Sequence, residues 1–327
     1  MAEKDKAKTT FATHWGTYTY DVMPFGLKNA GATYQWAMVT LFHDMKHKEI
    51  KVYVDNMITK PRTHRYHLIG LRKLFEHLVR YRLRLNPNKC IFGANSGKLH
   101  GFIVSQRGIE VNPAKVHTIM EMSVLKSEKQ VWSFLGRISY IARFITQLIA
   151  TCDPLFNLLK KDTKIEWTDE CQAAFDRIKQ YFLKPPILVP PMLGYPLILY
   201  LAVQDNSMCC MLGQLNEPDQ KEKAIYYLSK KFTNCEINYF TIEKTCCALT
   251  WASCKLRQYM LYFTTQLISY MDPIIYIFEK PNLIRNISHW QMLLSEFDIV
   301  FMVWKAIKGQ AIADYQANQP LNNLKFS

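Results

Sequence analysis

The chain has 327 residues, with 41 Lys plus Arg against 27 Asp plus Glu, a formal net charge of +14 with histidine neutral. At 49% hydrophobic and 13% aromatic residues it is too apolar for a disordered polymer, and it is long enough for about two or three domain cores. A basic excess of this size is the signature of a polyanion or an acidic membrane as partner, and nucleic acid is the first candidate.

In chain order, residues 1–8 alternate charges and lack the apolar core of an export or import signal. From Thr9 to about Gly108, β-rich runs alternate with helical ones. Residues 49–59 alternate with period two around Asp55 and Asn56, which predicts a β-hairpin with that pair at its tip. Asp and Asn there serve as turn formers, or Asp55 serves as an oxygen ligand for Mg²⁺. Residues 62–85 predict a helix with Leu68, Leu71, Phe75 and Leu78 on its apolar face and His64, Arg65 and Arg72 opposite. From Asn112 to about Lys184 the pattern is mostly helical, broken by Pro113, Pro154 and residues 162–164.

Residues 184–196 are Pro-rich and read as a linker; with six Pro and Gly residues, the apolar run 185–203 cannot form a bilayer-spanning helix. A second globular unit begins at Leu197, with strands predicted at 198–203 and 224–228. A helix follows over residues 242–261, carrying the stripe Ile242, Cys246, Leu249, Leu256 and Met260. The nine cysteines include the adjacent pairs Cys209-Cys210 and Cys246-Cys247 and read as buried, reduced thiols. No Cys-x-x-Cys occurs, and the close pair His64 and His67 has no nearby cysteine, so the pattern gives no zinc site. The expected compartment is intracellular, nucleus or cytoplasm, without a membrane segment.

Seven stretches occur in one order: the run 11–18 (FATHWGTY), 23–35 (MPFGLKNAGATYQ), 53–56 (YVDN), 85–93 (LNPNKCIFG), 101–110 (GFIVSQRGIE), 134–144 (FLGRISYIARF) and 309–314 (GQAIAD). Together they resemble the polymerase region of gypsy-type LTR retrotransposons, most like those of plants, over nearly the whole chain. The resemblance implies an α+β multidomain fold: a truncated reverse transcriptase palm with a helical thumb and connection, then an α/β ribonuclease H-like domain. The implied boundaries are 1–110 for palm and fingers, 111–184 for thumb and connection, 185–196 for the linker, 197–318 for the ribonuclease H-like domain and 319–327 for a tail.

The same resemblance implies site residues. Asp55 matches the first aspartate of the polymerase hairpin, and Asn56 stands where the family has the second, a neutral amide that ligates a hard cation poorly. The family's remaining polymerase aspartate lies upstream of the stretch matched by residues 11–16, so the chain is expected to start too late to include it. Phe25 and Gly26 match the nucleotide pocket, and His100 and Gly101 the primer grip, where His100 departs from the usual Leu. Lys115, Lys126, Lys129, Arg137 and Arg143 would line a duplex through its phosphates. In the ribonuclease H-like part, Glu243 and Asp314 match the second and fourth metal-binding carboxylates. Ala202 and Tyr270 occupy the first and third positions, with Asp205 and Asp272 displaced by three and two residues. Glu243 also fits a plain helix-dipole role and Asp314 a helix cap.

The implied cofactor is Mg²⁺, with Mn²⁺ possible, wherever a site still functions. The implied partners are an RNA template, a DNA primer and an RNA/DNA hybrid; the oligomeric state is left open. The implied function is that of an RNA-directed DNA polymerase with ribonuclease H activity. Because the ligand positions are incomplete, the expectation is a degenerate, catalytically impaired fragment that retains nucleic-acid binding and exposes apolar palm surface. The alternative is a basic adaptor recruited by the host and devoid of catalysis.

Overall fold

The computed structural model describes residues 1–45, 49–53, 56–59, 66–99, 101–123, 125, 127–159, 167–216, 221–279 and 285–302. The chain divides into two compact units, Met1–Phe92 and Gly93–Ser327.

In chain order, the N-terminal unit comprises α1 (Glu3–Lys6), the hairpin of β1 (Phe11–Thr13) and β2 (Gly16–Tyr18), and α2 (Ala30–Leu41). It continues with the hairpin of β3 (Ile50–Tyr53) and β4 (Asn56–Thr59), and with α3 (His67–Arg80). Its core is small: Met38 and Phe42 of α2, Met45, Ile50, and Leu74 and Leu78 of α3. The predicted hairpin is present, but its register pairs Tyr53 with Asn56. Asn56 therefore opens β4 instead of sharing the tip, and Asp55 lies outside the described residues.

Helix α3 also turns a different face inward from the one its pattern predicts. Gly70, Leu74 and Leu78 are buried, whereas Leu68 is 75% exposed and Phe75 42%. The helix carries two apolar stripes; the one containing Gly70, Leu74 and Leu78 packs inward, with Thr59 of β4 beside Gly70 at a distance that would leave ordinary contact with a Cβ. Trp15, Val22, Phe25, Trp36 and Val79 are exposed as well, so this unit presents much apolar surface.

The C-terminal unit opens with a three-stranded antiparallel sheet, β5 (Ser96–Leu99), β6 (Phe102–Ser105) and β7 (Ile109–Val111). The predicted helical region follows as α4 (Pro113–Met120), α5 (Glu128–Tyr140), α6 (Leu148–Asn157) and α7 (Asp169–Tyr181). Side chains cap three of them: Asn112 accepts from the Ala114 N–H at 3.0 Å, Ser127 forms a capping box with Gln130, and Thr168 accepts from the Cys171 N–H at 3.3 Å. Phe134, Ile138, Phe144, Cys152, Leu155, Phe175 and Ile178 form the core between them.

Next come β8 (Leu197–Val203), β9 (Ser207–Asn216), β10 (Lys221–Lys231), α8 (Asn234–Ile237), α9 (Thr241–Met260), β11 (Thr265–Ile268), α10 (Pro273–Glu279), α11 (Arg285–Leu294) and β12 (Ile299–Met302). The strands form one mixed sheet in the order β10-β9-β8-β11-β12, antiparallel from β10 to β8 and parallel from β8 to β12. Leu197, Leu199 and Leu201 of β8 pack against Cys246, Leu249, Ala252 and Leu256 of α9; Ile198 and Tyr200 join a separate cluster with Met211 and Ile268. Both faces of β8 are thus buried, and for that reason its sequence is a continuous apolar run.

The Pro-rich segment is an ordered strap and not a free spacer. Leu188 exchanges backbone hydrogen bonds with Ile109 at 2.7 and 3.0 Å, and the Val189 N–H donates to Ala224 of β10 at 2.9 Å. Further along, Gln214 accepts from the Met192 N–H at 2.8 Å and donates to the carbonyls of Met192 and Tyr195. The strap thereby ties β7 to β10. Arg143, expected to face phosphate, is half-buried with its guanidinium 4.4 Å above the Phe102 ring and 5.9 Å from Tyr226. Lys231 of β10 pairs with Asp153 of α6. Lys129 and Arg137 are exposed, while Lys126 lies outside the described residues.

Gly108 makes the strap possible. Its φ is +138°, and a Cβ there would collide with the carbonyl oxygen of Leu188. Replacing Gly108 by Ala should destabilise the C-terminal unit by roughly 2 kcal/mol or more, seen as a lowered midpoint in urea unfolding. An unchanged midpoint would show that the strap does not clamp this turn.

Candidate functional site

Three of the four positions that the resemblance aligns with metal-binding carboxylates fall toward one end of the large sheet. The parallel ladder between β11 and β8 ends at Ile268 opposite Tyr200; Ala202 follows two residues on in β8, and Tyr270 two residues on in the bend after β11. Helix α9 brings Glu243 to the same end, because Lys244 donates to the backbone carbonyl of Asp205 in the β8–β9 turn at 3.0 Å. The carboxyl ends of parallel strands are the usual place for a ligand site in such sheets.

The side chains there do not make a cation site. Ala202 has no donor atom, and Tyr270 is 83% exposed. Glu243 is half-buried with both oxygens engaged: Oε2 accepts the N–H of Phe240 at 3.1 Å, and Oε1 accepts the hydroxyl of Tyr276 at 3.3 Å. Displaced Asp272 is the N-cap of α10, its Oδ1 accepting the N–H groups of Ile274 at 2.8 Å and Ile275 at 3.2 Å. Asp205 is exposed in its turn. Among the described residues no group of three or more His, Cys, Asp and Glu side chains could hold a metal ion. Divalent metal needs several convergent oxygen donors, and the residues described here do not fit it; Asp314 lies outside the described residues.

The polymerase-side residues fall in both units. Asn56 sits at the start of β4. Phe25 is fully exposed, and Gly26, at φ +94°, has open space where a Cβ would be. Gly101, at φ +72°, turns β5 into β6 so closely to α5 that a Cβ would collide with the Tyr140 hydroxyl. His100 lies outside the described residues.

Sequence reasoning missed Tyr276 as the partner of Glu243, and no local pattern marks it. It also missed the capping role of Asp272, although Asp followed by Pro at the first helical position is a legible start signal. Nor did it find the charged cluster beside α9, where Glu236 of α8 accepts from Lys230 of β10 at 2.5 Å and from the Cys247 thiol at 3.3 Å. Burial works to raise the Glu236 carboxyl, but Lys230, the Thr233 N–H and Cys247 outweigh it and leave it at about 2. Burial, aided by Glu236, pushes the Cys247 thiol up to about 12. Burial likewise pushes Cys246 up to about 12, with Glu243 adding to it. Among the described residues all nine cysteines are free; Cys152, Cys171, Cys209, Cys210 and Cys246 are buried as expected, whereas Cys235 and Cys254 are exposed and depart from the expectation of buried thiols.

Comparison with known proteins accounts for this geometry. Residues 1–138 match the family model of reverse transcriptase (RNA-dependent DNA polymerase), and residues 167–267 match that of the RNase H-like domain found in reverse transcriptase. Two solved structures of the foamy viral protease-reverse transcriptase share the fold. The one in complex with dsDNA is 20% identical with a TM-score of 0.78, covering 94% of this chain and 65% of that one. The one in complex with RNA/DNA hybrid is 19% identical with a TM-score of 0.80, covering 100% and 44%. The chain thus has the fold of a reverse transcriptase domain followed by an RNase H-like domain.

Its relatives are retrotransposon Pol polyproteins. That from transposon 297 of Drosophila melanogaster is 30% identical over 96% of this chain and 29% of its own length. That from transposon opus of the same fly is 29% identical over 99% and 33%. The Tf2-7 polyprotein of Schizosaccharomyces pombe is 26% identical over 90% and 22%. The chain therefore spans about a third or less of each of these polyproteins. Among the described residues no helix is long and apolar enough to cross a membrane.

The Glu236 cluster gives a pH prediction. Its folded pKa lies below the ordinary 4.5, so its stabilisation is complete above about pH 4.5 and is lost as pH falls toward about 2. In Lys230→Met, unfolding followed from pH 6 to pH 2 should lose part of that acid-dependent slope. An identical slope in both proteins would refute the ion pair as its source.

Proposed function

We propose that this chain is the reverse transcriptase and ribonuclease H part of a gypsy-type, plant-like LTR retrotransposon Pol protein, catalytically impaired in both activities and still able to bind nucleic acid. One observation carries the reading: Ala202 at the end of β8 and Tyr270 just past β11 stand at positions where the resemblance calls for carboxylates, while Glu243 spends both oxygens on protein donors. Hydrolysis of an RNA strand by two metal ions needs convergent anionic oxygens, and losing one well-placed electrostatic group typically costs ~10²-fold or more in rate.

On the polymerase side, Asp55 is the remaining hairpin carboxylate and Asn56 replaces its neighbour, which removes one unit of negative charge from any Mg²⁺ or Mn²⁺ held there. Asp314 would be the fourth carboxylate of the ribonuclease H-like part. Phe25 and Gly26 would receive the nucleotide, and His100 and Gly101 the primer end. Residues 1–110 would act as palm and fingers, 111–184 as thumb and connection, and 197–318 as the ribonuclease H-like domain.

Binding has a sturdier basis than catalysis. It draws on a charge of +14 spread over many Lys and Arg side chains and not on a few carboxylates in fixed geometry. The ligands proposed are an RNA template with a DNA primer, and the RNA/DNA hybrid they form.

Purified protein should give no primer extension on an RNA template and no cleavage of an RNA/DNA hybrid with Mg²⁺ or Mn²⁺, at a detection limit ~10²-fold below an active family enzyme. The same protein should retain the hybrid in a filter-binding assay, with affinity falling steeply as salt rises. Turnover abolished by Asp55→Ala or Glu243→Ala would overturn the loss of catalysis; salt-independent affinity would overturn the electrostatic account of binding.

A further inference from the structure

The strand-end cluster is satisfied by protein groups alone. Glu243 joins the entry of α9 to Tyr276 of α10, Asp272 closes the first turn of α10, and Lys244 fastens α9 to the β8–β9 turn. The Ser269 hydroxyl, between β11 and Tyr270, donates to the carbonyl of Met271 at 2.5 Å. Four carboxylates gathered at this point would repel one another and would need a cation between them. With alanine and tyrosine at two of the positions, that repulsion falls, and the remaining glutamate can accept hydrogen bonds from an amide and a phenol.

We infer that this cluster is a cation-independent brace: Glu243, Tyr276, Asp272 and Lys244 hold β8, α9 and α10 together, and neither the stability of the unit nor its grip on a hybrid duplex depends on Mg²⁺. Glu243 is here a positioning residue and not a metal ligand. The inference rests on the loss of catalysis proposed above and extends it to what the site does instead.

Thermal unfolding of the full chain tests it, in EDTA and in about 10 mM MgCl₂ at matched ionic strength. The unaltered protein should show melting temperatures within about 1 °C of each other, because a ligand that binds neither state preferentially shifts nothing. Tyr276→Phe should lower the melting temperature equally in both buffers. The double variant Ala202→Asp, Tyr270→Asp should melt lower in EDTA and gain about 3–6 °C from Mg²⁺, as a millimolar site restored to a unit of this size would.

A Mg²⁺-induced rise in the unaltered chain that Glu243→Gln or Asp314→Asn removes would overturn the brace. So would a Tyr276→Phe variant as stable as the parent. Hybrid affinity measured in the same two buffers should be no higher with Mg²⁺ than in EDTA, since the cation acts there only as a competing counterion of the phosphates. Hybrid binding absent from both buffers would contradict the proposed function while leaving the melting result to decide the brace on its own.

Discussion

Strand β8 is the constraint on which the C-terminal unit depends. It is paired antiparallel with β9 on one edge and parallel with β11 on the other, and both of its faces are buried. A one-residue slip in either ladder would turn Leu197, Leu199 and Leu201 away from α9, so packing fixes the register strongly. That register sets where Ala202 falls at the end of β8, the place to which the resemblance assigns a metal ligand. The place is therefore set by hydrophobic packing several residues away. Scaffold and site chemistry are held by different interactions.

Helical and strand elements with one strong period were legible in the sequence. The helix read over residues 242–261 is α9 within one residue at each end, and Cys246, Leu249, Leu256 and Met260 are all buried in it. Strand β10 extends the predicted 224–228 at both ends, since its charged residues continue the antiparallel ladder with β9. Strand β9 itself went unread: Met208, Cys209, Cys210, Met211 and Leu212 are all buried, so no alternation marks it as a strand. For α3 the period was right but the predicted face is buried only at Leu78, because the inward stripe also takes in Leu74 and Gly70, and glycine carries no hydropathy signal. The Pro-rich strap looked like a linker because proline predicts extended chain equally well whether that chain is free or hydrogen-bonded along one side.

The candidate site was legible in its positions and less so in its chemistry. Ala202, Glu243 and Tyr270 were aligned by resemblance, and the ladder of β8 with β11 ends two residues before the first and last of them. What the chain does with the remaining groups depended on contacts across long stretches of sequence, such as Tyr276 with Glu243 at a separation of 33 residues. The charge of +14 takes on a second meaning in this light. Part of the basic set is structural, as Arg143 on Phe102 and Lys231 with Asp153 show.

The central claim is that the strand-end site binds no divalent cation. Paramagnetic broadening by Mn²⁺ in an ¹⁵N-labelled sample of the full chain tests it most directly. The account predicts that the amide signals of Ala202, Glu243 and Tyr270 broaden no more than those beside ordinary exposed carboxylates such as Asp169 and Glu170 of α7. Selective loss of those three signals at low Mn²⁺, reversed by excess Mg²⁺, would contradict it.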